Sequence, residues 1–146
     1  MDLQIIQNKI FEIRGCRVML DFHLAELYQV ETRALKQAVK RNLSRFPDDF
    51  AFQLTKDEWQ ELITICDKFP ENIRHTPTSP LAFLEQGVAM LSSVLRSQTA
   101  IDVNISIMRA FVLMRQMSIG YEELLKRIEE LEQSTDAQFS EVYQAL

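Results

Sequence analysis

From residue 10 to residue 20 (IFEIRGCRVML), apolar and polar positions alternate on either side of Arg14-Gly15, the two-residue period of paired strands. Gly15 supplies the backbone freedom of a tight reversal, so a short β-hairpin or strand pair is predicted here. The period changes after Asp21, a residue suited to cap a helix, and helical spacing follows. Residues 50–54 (FAFQL) alternate again behind the breaker Pro47-Asp48-Asp49 and predict a strand, with Asp48 and Asp49 as turn residues. Thr55 with Glu58 three positions on is a capping box. It opens a helix with Trp59, Leu62, Ile63 and Cys66 on one face. Residues 67–80 carry three prolines and little periodicity, predicting one long loop and the most mobile element.

Residues 84–95 and 98–117 return to helical spacing. The second stretch is apolar on most sides (Ile101, Val103, Ile105, Ile107, Met108, Phe111, Val112), which places it in the core or in a dimer interface. Ser118-Ile119-Gly120 reads as a break. Beyond it Tyr121, Leu124, Ile128 and Leu131 keep a heptad-like spacing, and Phe139, Val142 and Leu146 add a second apolar set. The pattern reaches Leu146 without a stop signal, as expected of a piece of a longer protein. Two domains are expected, residues 5–117 and 121–146.

Residues 21–45 meet the spacing of a helix-turn-helix. Two helices crossing steeply over a tight turn need apolar residues mid-first-helix, a small residue at the crossing and hydrophobes after the turn. Leu24 and Ala25 supply the first pair, Val30 follows the turn, and Leu35 and Ala38 close the contact. Thr32 is placed to cap the second helix and is counted, with Arg17 of the hairpin, among the candidate DNA-contact residues. Gln29 stands where glycine best tolerates a left-handed turn, at a cost of about 1 kcal/mol.

The second helix separates its faces. Ala34, Leu35, Ala38, Val39 and Leu43 fill an apolar arc. Arg33, Lys36, Gln37, Lys40 and Arg41 fill the other, with no acidic residue among them. Such a face suits a major groove: Arg33, Lys36 and Gln37, near the N-terminal end, are placed for base edges, and Lys40, Arg41 and Arg45 for phosphates. Asn42 falls inside the apolar arc and is read as structural, bonding to the helix end. Arg14 and Arg17 on the hairpin either extend the phosphate footprint or are plain surface.

The 146-residue chain is 47% hydrophobic and 25% charged, ordinary globular composition. No apolar run is long enough to span a bilayer, and the N-terminus lacks signal-peptide character. Cys16 and Cys66 fit no metal or redox spacing and read as small buried hydrophobes in a reducing cytoplasm. The net charge of −5 hides an asymmetry. Between residues 14 and 45, Arg14, Arg17, Arg33, Lys36, Lys40, Arg41 and Arg45 outnumber Asp21, Glu26 and Glu31. From residue 116 onward only Lys126 and Arg127 stand among many carboxylates. Phosphate responds to the local field rather than to the total.

With these residues in hand, the chain resembles the phage ORF-6 N-terminal DNA-binding domain family, related to KilA-N domains. The motifs are LAELYQV, VKRNLSRFPDDFAFQLT, EQGVAMLSSVL and IMRAFV, and the resemblance covers roughly residues 5–115. Leu84 departs from it, standing where the family often has a threonine. The resemblance implies an α+β fold: a small winged-helix-like domain with short strands, followed by a C-terminal helical or coiled-coil segment. It also implies an N-terminal DNA-binding domain of phage and prophage regulators, often of antirepressor type, with DNA contact on the basic second helix and on Lys40-Arg41-Asn42 through Arg45-Phe46-Pro47.

Chemistry beyond binding finds little support. His23, placed on the exposed side of its helix, and His75 lack metal-ligand company, and Gly87 reads as a close helix-packing point. No catalytic residue, cofactor or metal is expected. The expected partners are double-stranded DNA and a second copy of the chain, the heptads serving as a dimer seam or else packing back on their own domain. The competing reading is an interaction module that binds a repressor or partner subunit without touching DNA.

Overall fold

The computed structural model describes residues 2–66 and 69–145, without the side chains at 136, 137 and 139–145. The expected apolar set at Phe139, Val142 and Leu146 therefore lies outside the described residues. The order is α1 (Leu3–Gln7), β1 (Ile10–Ile13), β2 (Cys16–Leu20), α2 (Asp21–Tyr28), α3 (Thr32–Arg41), a 3₁₀ turn (Leu43–Arg45), β3 (Ala51–Gln53), α4 (Lys56–Ile65), α5 (Glu71–Arg74), β4 (Leu81–Phe83), α6 (Glu85–Leu91) and α7 (Gln98–Ala145). The fold is α+β, built on a four-stranded antiparallel sheet of order β1-β2-β4-β3.

The predicted hairpin forms with Ile13 opposite Cys16, and both turn residues take positive φ, Arg14 at 57° and Gly15 at 73°. That is the reversal whose twist matches paired strands. Arginine at the first of these positions is strained, and contacts described below hold it there. The alternation then sorts the sheet into two faces. On one, Val18, Leu20, Leu54 and Ala82 pack under Trp59 and Leu62 of α4. On the other lie the buried Met19, Phe83 and Ala51, with Phe46 edge-on to Phe83. The capping box forms in full, Thr55 and Glu58 each bonding the other's backbone N–H.

Gly87 sits where α6 crosses the chain before β3. A Cβ there would stand 2.2 Å from the Phe50 carbonyl oxygen, which explains the glycine by close approach. Leu84 occupies the cap of α6 and makes no side-chain cap bond, as its departure from the family pattern implies.

Several expectations need correction. The central strand β4 falls between the loop read at 67–80 and the helix read from 84, in residues given no element; three residues between Pro80 and Leu84 are too few to show a period. Residues 69–80 are more than loop, since α5 forms there and Phe69 is buried against Trp59, Phe22 and Phe11. Asp67 and Lys68 lie outside the described residues. The break at Ser118-Ile119-Gly120 is absent: α7 runs through it, because one glycine costs about 1 kcal/mol and strong helix formers flank it. The N-terminal α1 had no prediction.

The chain divides into two compact units, Met1–Ala110 and Phe111–Leu146. In the first, Ala100, Val103, Ile107 and Ala110 of α7 are buried while Ile101 and Ile105 are exposed. In the second, Met117, Tyr121, Leu124, Ile128 and Leu131 are exposed along the helix. Among the described residues no helix is long and apolar enough to cross a membrane.

Candidate nucleic-acid interface

The helix-turn-helix is α2, a three-residue turn and α3. Gln29 takes the left-handed conformation (φ 60°, ψ 42°) at the end of α2. Its N–H donates to the Glu26 carbonyl and the Val30 N–H to the Ala25 carbonyl, so the last carbonyls of α2 are satisfied by a Schellman turn. Leu24, Ala25 and Leu35 are fully buried between the helices, and Val30 and Ala38 are half-buried beside them.

Two caps differ from expectation. Because β2 runs directly into α2, Leu20 takes the extended cap position and Asp21 becomes the first helical residue. Its buried carboxylate instead accepts the Leu81 N–H at 3.0 Å and faces the Lys36 ammonium at 3.4 Å. Glu31, not Thr32, caps α3, and makes no side-chain cap bond; Thr32 is the first helical residue. The apolar arc is also narrower than expected. Leu43 leaves helical phase in the 3₁₀ turn and is 63% exposed, and Ala34 is exposed. Asn42 is structural as read: its Nδ2 donates to the Ala38 carbonyl at 2.8 Å.

The outer face of α3 gathers Arg33, Gln37, Lys40 and Arg41, all exposed and spanning roughly 100° of helical arc. No described residue holds any of the four in an ion pair or side-chain hydrogen bond. Arg45 is exposed on the following turn, its Nη1 donating to Ser93 Oγ at 2.7 Å. The remaining predicted residues stand apart. Lys36 lies on the flank with Thr32 and is tied to Asp21, a partner contributed by the preceding helix. Arg17 is half-buried opposite Glu12 on the neighbouring strand and is engaged within the chain. Arg14 is no free phosphate ligand. It donates to both Glu58 carboxylate oxygens, at 2.7 and 2.8 Å, and its guanidinium lies 4.1 Å over the Phe52 ring. This pair, with the Thr55 N–H, holds the Glu58 carboxyl down to about 2.

His23 is not on an exposed side. It is half-buried, its ring against Phe22, Phe11 and Phe69, and its Nδ1 finds no partner among the described residues. Burial first and the charge of Lys9 second lower its pKa to about 4. Cys16 and Cys66 are free thiols at the edge of the core, half-buried rather than fully so. One polar contact escaped sequence reasoning altogether. The Tyr28 hydroxyl at the end of α2 donates to Asn104 Oδ1 of α7 at 2.5 Å, both groups buried. A buried polar residue inside the apolar stripe of α7 is the signal that marks it. Among the described residues, no three His, Cys, Asp or Glu side chains come together as a metal site.

The model of the ORF6N domain matches residues 8–94, more than half of the chain, from the hairpin to the end of α6. The chain belongs to the ORF6N domain family. No curated protein and no solved structure matches it. ORF6N membership suggests a phage-type regulatory, DNA-binding protein, and the ORF6N region contains both helices of the helix-turn-helix and Arg45. The helical segment that follows fits a coiled coil.

Proposed function

We propose that this ORF6N protein binds double-stranded DNA sequence-specifically through α3, as a homodimer, in a phage- or prophage-derived transcriptional regulator of antirepressor type that works in the bacterial host cytoplasm. The observation that carries the reading is the outer face of α3, where Arg33, Gln37, Lys40 and Arg41 are exposed together without an acidic neighbour on that arc. Arg33 and Gln37 offer the forked donors and the amide that read guanine and adenine edges; Lys40, Arg41 and Arg45 neutralise phosphate. The reading needs no catalytic step and no cofactor.

The dimer rests on α7. Met117, Tyr121, Leu124, Ile128 and Leu131 follow one another at alternating steps of four and three. In a parallel pair that register sets Arg127 of one copy toward Glu132 of the other, an attractive flanking pair. The same exposed stripe supports a second reading, in which the chain binds a repressor or partner subunit without touching DNA.

Selection of duplexes from a random-sequence pool tests the choice. An enriched motif of two half-sites is the expected result. A protein that retains its fold yet binds no duplex at low salt overturns the DNA reading in favour of the second.

A further inference from the structure

A cavity of about 290 Å³ opens beside the flank of α3, between the starts of α2 and α3, Trp59 of α4 and the segment from Ile73 to Pro80. That volume is at the small end of ligand sites. Its apolar walls include the Phe22 ring, Ile73 and Pro80.

Two of the polar groups on its wall are already used. The Asp21 side chain is 2% exposed, takes the Leu81 N–H and faces Lys36. The Thr76 hydroxyl donates to the Ile73 and Thr78 carbonyls. The donors that remain on offer come from α3 and α4. The Lys36 side chain is 36% exposed. The Trp59 indole N–H is buried in a residue only 3% exposed and finds no partner among the described residues. Thr32 lies at the first turn of α3, whose cap residue makes no side-chain bond to the leading N–H groups, so the positive end of the helix adds to the same sign. A buried indole N–H without an acceptor is costly, and a group that supplies one is favoured.

From this arrangement we propose that the cavity is a binding site for a small aromatic carboxylate. The ring lies against Phe22 and Pro80, and the carboxylate accepts from the Lys36 ammonium and the Trp59 Nε1–H. Lys36 and Thr32 belong to the helix assigned to DNA, so the ligand places negative charge beside the reading face and weakens duplex binding. This coupling, unlike the site itself, rests on the DNA reading. It is reciprocal: duplex weakens the ligand by the same factor.

Trp59 is the sole tryptophan of the chain, so its fluorescence reports this site alone. The full chain is titrated with benzoate, with benzamide and benzylamine as charge controls, in the absence of DNA. The expected result is a saturable change with a Kd on the order of 1 mM, the range open to so small a ligand, and benzamide and benzylamine at least tenfold weaker. Lys36→Met weakens benzoate at least tenfold. Trp59→Phe, followed by calorimetry, weakens it several-fold while keeping the ring. The ligand series on unaltered protein holds even if a variant folds poorly.

A response to benzylamine equal to that of benzoate, or no saturable response to benzoate, overturns the site. Repeating duplex titration with saturating benzoate is expected to weaken DNA several-fold. Unchanged duplex affinity overturns the coupling, whereas absence of duplex binding without benzoate is a failure of the DNA reading alone.

Discussion

Lys36 Nζ of α3 stands 3.4 Å from the buried Asp21 Oδ2 of α2, so the lysine nearest the middle of the basic helix ties the two motif helices together. Lys36→Ala leaves that carboxylate with the Leu81 N–H but without its cation. We expect a loss of about 1–2 kcal/mol of stability, discounted for the partial exposure of the lysine. Lys40→Ala and Arg41→Ala, on the solvent face, stay within about 0.5 kcal/mol. Urea midpoints measure all three, and equal losses would remove the structural role of the pair. The sign of the pH effect is fixed as well. Burial raises the Asp21 carboxyl, so the folded state takes up this proton more readily than the unfolded state. Acidification therefore narrows the gap between Lys36→Ala and the parent.

On DNA, the two halves of the exposed face separate by kind of effect. Lys40→Ala with Arg41→Ala weakens all duplexes alike and makes log affinity fall less steeply with log salt, by nearly one unit of slope for each phosphate no longer neutralised. Arg33→Ala or Gln37→Ala costs about 1–3 kcal/mol on the selected site and relaxes preference at single base positions. Fluorescence anisotropy over a salt series distinguishes them; uniform loss from Arg33→Ala would move that residue to the backbone set.

Two backbone substitutions act in opposite directions. Gly87→Ala forces a methyl into the Phe50 carbonyl, a neighbour that cannot rotate away, and is expected to destabilise by more than about 2 kcal/mol. Gln29→Gly relieves the left-handed residue of the motif turn and is expected to stabilise by up to about 1 kcal/mol. Thermal unfolding of both reads the result, and a neutral Gly87→Ala would mean that α6 shifts freely.

Acid stability is expected to fall in two windows. His23 is lowered from 6.5 to about 4, so the unfolded chain binds its proton first, and stability is lost as pH drops between those values. Glu58 is lowered from 4.5 to about 2 by Arg14, so its contribution is present above 4.5 and lost toward pH 2. His23→Phe flattens the upper window and Glu58→Gln the lower one in urea titrations at fixed pH. An unchanged upper slope in His23→Phe would assign that loss to another group.

The dimer is tested in the full chain by Leu124→Glu with Ile128→Glu. Light scattering is expected to show dimer for the parent and monomer for the variant, with the N-terminal fold intact by circular dichroism. A variant that stays dimeric would place the seam elsewhere.

Where local chemistry decides conformation, the sequence was readable. The Arg14-Gly15 reversal, the Thr55–Glu58 box, the close approach at Gly87 and the left-handed Gln29 all follow from residue types at fixed offsets. What long-range pairing decides was hidden. Nothing in Leu81-Ala82-Phe83 announces that it will lie between Leu20 and Phe52, and nothing in a basic helix face announces that Asp21 will reach across and claim Lys36. The removal of Arg14 by Glu58 is of the same kind: two separately legible features whose meeting depends on the folded sheet.

The place of β4 bears on how the protein is made. The sheet cannot close until Phe83 has been synthesised, because β2 and β3 are joined only through this strand. At translation rates of 5–20 residues per second, the chain from Leu20 to Phe83 takes roughly 3–12 s to emerge. By the end of that interval the hairpin and both motif helices have been made and still lack their sheet partner. The strand that holds Asp21 of the first motif helix is thus the last to arrive, and a nascent chain stalled before Pro80 would expose the apolar side of a half-built sheet.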